Sequence, residues 1–186
     1  VGLSLYKSAV MRAIKLAELD GVDMLHFYAD TNGNELGTSQ PRFLSYLIRE
    51  IHCSLVEQGL RFRTNLVFSG GIAMAEHLAK AVICGADAVV ISKPLLLALE
   101  CRMCYRCRLG KSCPVVIGEI PVSWARQRML NLAGAWRNQL IEVMGAMGIR
   151  EVRRLRGEIG RSMWFEDLEK ESFAPIFGRR VAKGLV

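Results

Sequence analysis

The sequence predicts an α/β protein, a parallel sheet covered by helices, with a cysteine loop and a helical tail behind it. Three observations predict it. Through the first hundred residues, segments of helical period alternate strictly with short apolar runs, as βα units do. Those runs are continuously apolar rather than alternating, the pattern of parallel strands covered on both faces. Beyond residue 100 the alternation stops: four cysteines fall within thirteen residues, and one long helical pattern follows.

Each element has its own signal. Leu3, Leu5, Val10, Ile14 and Leu16 recur at near-helical spacing with Lys7, Arg12, Lys15 and Glu18 between them, predicting a helix over 3–19 that Asp20-Gly21 ends. Residues 22–28 (VDMLHFY) form the first predicted strand, and a polar, glycine-bearing loop follows to Gln40. Pro41 opens a second predicted helix running to about Gln58, where Gly59 stops it. Residues 64–68 (TNLVF) are the second strand, ending at Ser69-Gly70-Gly71. A third helix is predicted over 72–84, a third strand over 87–91 (DAVVI), and a further helix from Pro94. In the tail, Trp124, Leu132, Trp136, Leu140 and Met144 mark a helix over 121–147 that Gly148 ends. A short mixed segment covers 150–155. Ser162 begins a last predicted helix, because Ser-Met-Trp-Phe-Glu offers a cap with acids in the first turns.

Composition narrows the class. Among 186 residues, 25 Lys and Arg face 18 Asp and Glu, a net charge of +7. The excess is uneven: residues 1–100 carry nine basic and ten acidic side chains, residues 101–186 sixteen and eight. The basic residues lie inside helical patterns and beside cysteines with no nucleic-acid motif, so no nucleic-acid partner is expected. An apolar content of 51% excludes a disordered chain. No apolar run approaches the roughly 18 residues of a membrane helix; the nearest, 86–99, is broken by Asp87, Lys93 and Pro94. Charged residues interrupt the first stretch, so no signal peptide is read there. A soluble, cytoplasmic protein is expected.

Two motifs carry chemistry. Cys101-x2-Cys104-x2-Cys107-x5-Cys113-Pro114 places thiols at intervals that can converge on one small centre. Clustered cysteines without a secretory signal favour metal over disulfides. Three in tandem with a more distant fourth before proline favour iron–sulfur, with zinc as the alternative. Arg102, Arg106, Arg108 and Lys111 thread the loop and would offset a negative centre. Cys53 and Cys84 sit singly in apolar periodic segments and read as buried free thiols. The second motif is Ser69-Gly70-Gly71 after a strand, paired with Gly85-Ala86-Asp87 and Ile91-Ser92 around the next. Glycines there let backbone N–H groups approach a phosphate, and in (β/α)8 barrels the last two strand ends form such a site. His26 lies in a strand with Asp30, Asn32, Gly33, Glu35 and Thr38 in the loop beyond, where parallel sheets bind ligands. Glu50 and His52 read as structural, and His77 as an ordinary helix-surface residue.

The order of these features resembles the FMN-binding domain of glutamate synthase, in its archaeal-type version. The resemblance runs from 22–37 through Glu50-Ile51-His52, Gly59-Leu60-Arg61, Ser69-Gly70-Gly71 and Gly85-Ala86-Asp87 to Cys113-Pro114-Val115, covering roughly residues 5–120. It implies the C-terminal portion of a (β/α)8 TIM barrel that binds FMN near an iron–sulfur cluster and forms glutamate from 2-oxoglutarate and glutamine-derived ammonia. It implies that Gly70, Gly71 and Ser92 face the FMN phosphate, with Ser69 and Ile91 completing the cofactor-binding set. It also implies that Cys101, Cys107 and Cys113 hold a three-iron (3Fe–4S) cluster. This sequence adds Cys104 and one extra residue before Cys113, so a four-iron (4Fe–4S) cluster is equally open. The family's Asp-Gly-Gly-Thr-Gly loop is here the altered 30–38 segment.

A closed barrel takes about 250 residues, and about three parallel strands are legible, mapping to strands six, seven and eight. The expected organisation is 1–100 as the last βα units of the barrel, 101–120 as the iron–sulfur loop and 121–186 as a helical extension. The chain is expected to be a C-terminal piece of a longer protein or a split-gene product, inactive alone, with its catalytic residues elsewhere. Its expected partners are the remainder of the barrel or a companion subunit, a glutaminase domain or subunit, and a ferredoxin or NAD(P)H-oxidising electron donor. The competing expectations are a non-catalytic iron–sulfur electron-transfer module and a zinc-stapled structural domain.

Overall fold

A computed structural model describes residues 2–5, 10–158 and 174–177. Four strands, β1 (Gly2–Leu5), β2 (Met24–Tyr28), β3 (Asn65–Ser69) and β4 (Ala88–Val90), form one parallel sheet in sequential order. Between them run α1 (Val10–Ala17), α2 (Leu44–Glu57) and α3 (Ala75–Cys84). Then come α4 (Lys93–Ala98), α5 (Val122–Ala146) and a short α6 (Ala174–Phe177). The last helix predicted from Ser162 begins outside the described residues.

The predicted helix over 3–19 is corrected: its first part is β1, so the sheet has four strands rather than three. Leu3 and Leu5 are two apart, which puts them on one face of a strand but on opposite sides of a helix. They pair with Leu25 and Phe27 and join the same apolar layer. The second helix starts at Leu44 rather than Pro41. Phe43 is held extended by a bridge to Asn34, and the Leu44 N–H donates to the Gly33 carbonyl at 2.8 Å.

Sequential order fixes where the helices lie. Right-handed crossovers between consecutive parallel strands put every helix on the same side of the sheet. Leu5, Leu25, Phe27, Leu66 and Phe68 face that side, with Phe27 and Phe68 stacked at 5.1 Å. The α2 stripe of Leu44, Leu47, Ile48, Ile51 and Leu55 closes over them, all at helical spacing and all buried. The opposite face carries Ser4, His26, Val67 and Ala88 in one row and Tyr28, Ser69 and Val90 in the next. Among the described residues no helix covers it, and Val90 is 42% exposed. A sheet wound in one direction with helices on one face is an arc of a (β/α) barrel, not a doubly wound sheet.

The amino-terminal rim of this arc is tied by a buried ionic knot. Arg61, 3% exposed, donates to the Asp87 carboxylate and the Gly85 carbonyl, each at 2.7 Å, to the Thr64 carbonyl, and through Nε to His52 Nδ1 at 2.9 Å. Arg156, from the tail, takes the other Asp87 oxygen at 2.7 Å. Leu155 and Met144 pack with Val82 and Ile83, so the tail and α5 are fastened to the outside of α3.

Candidate functional site

The carboxyl ends of β2, β3 and β4 open into one mouth. The loop after β2 folds on itself through Asp30, whose carboxylate accepts the N–H groups of Asn32 and Asn34, each at 2.8 Å. Burial pushes the Asp30 carboxyl up, but the N–H groups of Asn34, Asn32 and Gly33 outweigh it and hold the pKa below the usual carboxylate value. Glu35, buried at the loop's base, is clasped through both carboxylate oxygens by Arg42, which also pairs with Glu50. Glu50, read as structural, serves here as one end of that clamp.

The glycine pair is shaped by this loop. A Cβ on Gly70 would lie 2.4 Å from the Ala29 carbonyl oxygen, and one on Gly71 would lie 2.5 Å from Gly33 Cα. Both glycines also have left-handed φ values, 94° and 68°. Their first role is therefore to let two loops touch backbone to backbone. Their second is left open by that packing: among the described residues, the N–H groups of Gly70, Gly71, Ile91 and Ser92 have no hydrogen-bond partner. Four unused donors at two adjacent strand ends suit an anion. Lys93, next to them, donates to the Thr31 carbonyl at 3.0 Å and so spans the mouth from β4 to the β2 loop.

Ser69 is placed differently from its glycines. Its hydroxyl points to the uncovered face, donates to the Phe27 carbonyl at 3.4 Å and accepts from His26 Nε2 at 3.1 Å. His26 in turn lies 4.1 Å, centroid to centroid, from the Tyr28 ring. Burial lowers the His26 pKa. Sequence reasoning picked out His26 and Ser69 separately; their pairing is set by β2–β3 register and has no local signal. His77, read as a plain surface residue, accepts the Ala73 N–H at 3.2 Å and braces the segment leaving the glycine pair. That segment delays α3 to Ala75, three residues later than predicted.

The cysteine loop leaves α4 with the Cys101 N–H on the Leu96 carbonyl at 2.9 Å. Cys101 and Cys113 are half-buried, Cys104 and Cys107 exposed. Backbone N–H groups of Ile117, Val115 and Val116 aimed at the Cys113 sulfur lower its pKa, as suits a thiolate ligand. Among the described residues no three metal-binding side chains meet at one point, so the loop presents a soft-metal donor set rather than an assembled cage. Cys84, buried in α3, has its pKa pushed up to about 11 by burial and is inert. Cys53, expected to be buried, is exposed, because it lies off the Leu44–Leu47–Ile48–Ile51–Leu55 stripe of α2.

Residues 43–150 match the family described as the conserved region in glutamate synthase. This chain belongs to that family. Among its curated relatives, the archaeal-type glutamate synthase (NADPH) of Thermotoga neapolitana is 33% identical over 121 residues, 61% of this chain. The archaeal glutamate synthase (NADPH) of Methanocaldococcus jannaschii is 35% identical over 114 residues, 58% of this chain. These matches cover only 24% and 22% of the relatives' own lengths. Among solved structures, a double mutant of flavocytochrome b2 with pyruvate bound superposes over 88% of this chain and 36% of its own, with a TM-score of 0.55 at 16% identity. That likeness concerns the fold, a barrel of which this chain supplies an arc. No helix among the described residues is long and apolar enough to cross a membrane.

Proposed function

We propose that this chain forms the closing arc of an FMN- and iron–sulfur-dependent glutamate synthase, which makes glutamate from 2-oxoglutarate and ammonia released from glutamine. The observation that carries the reading is the set of unused N–H groups on Gly70, Gly71, Ile91 and Ser92, in a chain of the glutamate synthase family. These amides hold the FMN phosphate, and the Lys93 ammonium adds a cation beside them. When bound, FMN supplies the electrons for the reductive step. Ser69 does not take the phosphate: its hydrogen bond with His26 holds that imidazole on the barrel's inner face. Tyr28 and His26 line that face, where they exclude water and offer a polar edge to a ligand. Cys101, Cys104, Cys107 and Cys113 are the iron ligands; their donor set and the N–H groups around Cys113 suit the group.

The remaining strands come from further chain or from a companion subunit. The open sides of β1 and β4 and the uncovered inner face support this. Those strands bring the substrate-activating residues, so this chain alone is inactive. A glutaminase domain or subunit supplies ammonia, a ferredoxin or an NAD(P)H-oxidising subunit supplies electrons, and the assembly is cytoplasmic. Anaerobic purification of the full protein tests the reading. Bound FMN, iron with sulfide, and glutamate formation from 2-oxoglutarate and glutamine with a reduced donor are expected. A flavin-free, iron-free protein that forms no glutamate overturns it.

A further inference from the structure

We propose that the outward face of α5 is a docking site for an acidic amphipathic helix of a partner protein. The inference goes beyond the flavin and iron–sulfur reading and does not depend on it.

The two sides of α5 are built differently. Trp136, Leu140, Met144 and Met147, at helical spacing, pack toward the sheet's core and against Val82, Ile83 and Leu155. On the other side Arg126, Leu130, Ala133, Arg137 and Ile141 recur at spacings of three and four residues and form one stripe, every member exposed. Leu130 is 52% exposed and Ile141 47%. Charge on this side is one-signed. Between residues 101 and 146, seven cations stand against two carboxylates, Glu119 and Glu142. None of the seven has an acidic partner among the described residues, where the ion pairs belong to Arg42, Arg61, Arg63 and Arg156. A surface of this kind fits a partner of opposite charge.

The mixture of side chains selects the class of partner. A nucleic acid would stack bases on exposed rings, but Trp124 and Tyr105 already carry guanidinium groups, Arg128 at 5.4 Å and Arg108 at 5.0 Å from the ring centroids. Phosphates also offer nothing to Leu130 and Ile141. A membrane surface needs cations and apolar side chains on separate faces of a helix, whereas here Arg126 and Arg137 share the stripe of Leu130 and Ile141. A protein surface satisfies both kinds of group at once: carboxylates take the arginines through paired N–H groups, and apolar side chains cover the leucine and isoleucine.

The spacing sets the shape. Arg126 and Arg137 are three turns apart, about 16 Å along the axis at 1.5 Å per residue. A partner helix lying along α5 meets them with two carboxylates at the same separation. Its apolar side chains fall between, over Leu130 and the small Ala133.

Binding to the full protein decides this, with a labelled helical peptide of about 20 residues carrying two glutamates three turns apart and leucines between them, followed by fluorescence anisotropy. Saturable binding is expected in about 50 mM salt, weakening as salt rises to about 300 mM. A version with glutamines in place of the glutamates should bind about tenfold more weakly. Arg126→Glu combined with Arg137→Glu should lose the peptide, and a version with lysines in place of the glutamates should bind that variant instead. Arg12→Glu, exposed on α1, should bind as wild type. No binding, equal binding of the glutamine version, or tighter binding of a polyuridylate oligonucleotide or of phosphatidylglycerol vesicles overturns the proposal. Each of those results leaves the proposed function standing, since flavin, iron and glutamate formation are read separately.

Discussion

The arc and the cysteine loop are adjoining segments built on opposite terms. In the arc, from α1 to α4, burial does the work: Phe27, Phe68, Leu47 and Ile51 are sealed from water, and every left-handed residue is a glycine. In the loop from 101 to 120 nothing is buried, and side-chain-bearing residues take the left-handed region. The first segment specifies its conformation through its own contacts. The second takes left-handed turns at Glu100, Met103, Tyr105 and Val116 without a buried contact between 101 and 120.

Substitutions can break or sharpen that contrast. The largest effect belongs to the arc. Phe68→Ala removes a fully buried ring stacked on Phe27 and should cost about 3–5 kcal/mol in urea unfolding. Next is a matched pair of glycines with nearly equal φ. Gly71→Ala, at φ 68°, meets backbone at 2.5 Å and should cost roughly 2–4 kcal/mol, whereas Gly110→Ala, at φ 66° with nothing within 4 Å, should cost only about 1 kcal/mol. Equal losses at the two sites would erase the distinction. Met103→Gly should move the other way, stabilising the metal-free chain by about 1 kcal/mol as left-handed strain is relieved.

The smallest effect is on pH dependence. Burial first, then Arg61 and Arg156, lower the folded-state pKa of His52, and burial lowers that of His26. The unfolded chain then binds protons before the folded one does. Stability is therefore whole above about pH 6.5 and declines as pH falls through that value toward the folded pKa. The urea midpoint should drop between about pH 7 and pH 5, and His52→Asn, which keeps an acceptor for Arg61 without titrating, should flatten part of the drop.

What could be read beforehand follows the range of the interactions. Strands β2 and β3 and helices α2 and α3 show in local pattern because each buries a coherent set of apolar side chains; β4 and α5 show in their apolar residues alone, since β4 buries none of its residues and α5 only Met144. Strand β1 was hidden because Leu3 and Leu5 also continue a helical series into Val10 and Ile14, and only pairing with Leu25 and Phe27 decides between the two. Ser69-Gly70-Gly71 is legible as a turn. The reason for two glycines lies some forty residues back, in Ala29, Asp30 and Gly33. The His26–Ser69 bond and the Arg61–Asp87–Arg156 knot are equally non-local, each joining groups from different turns of the barrel. The cysteine spacing was plain in the sequence, but the reversals around Cys104 were not, since no glycine announces them.

The sheet's winding has a consequence for handling the chain. β1 and β4 each leave one row of N–H and C=O groups unsatisfied among the described residues, and the two rows are complementary in direction. Produced as this chain by itself, one molecule can add its last strand to the first strand of another, and the next to that, in a series that need not close. Such a preparation should polymerise or precipitate, and co-expression with the further strands of the proposed barrel should return it to solution. The same polarity would give those strands a single way in.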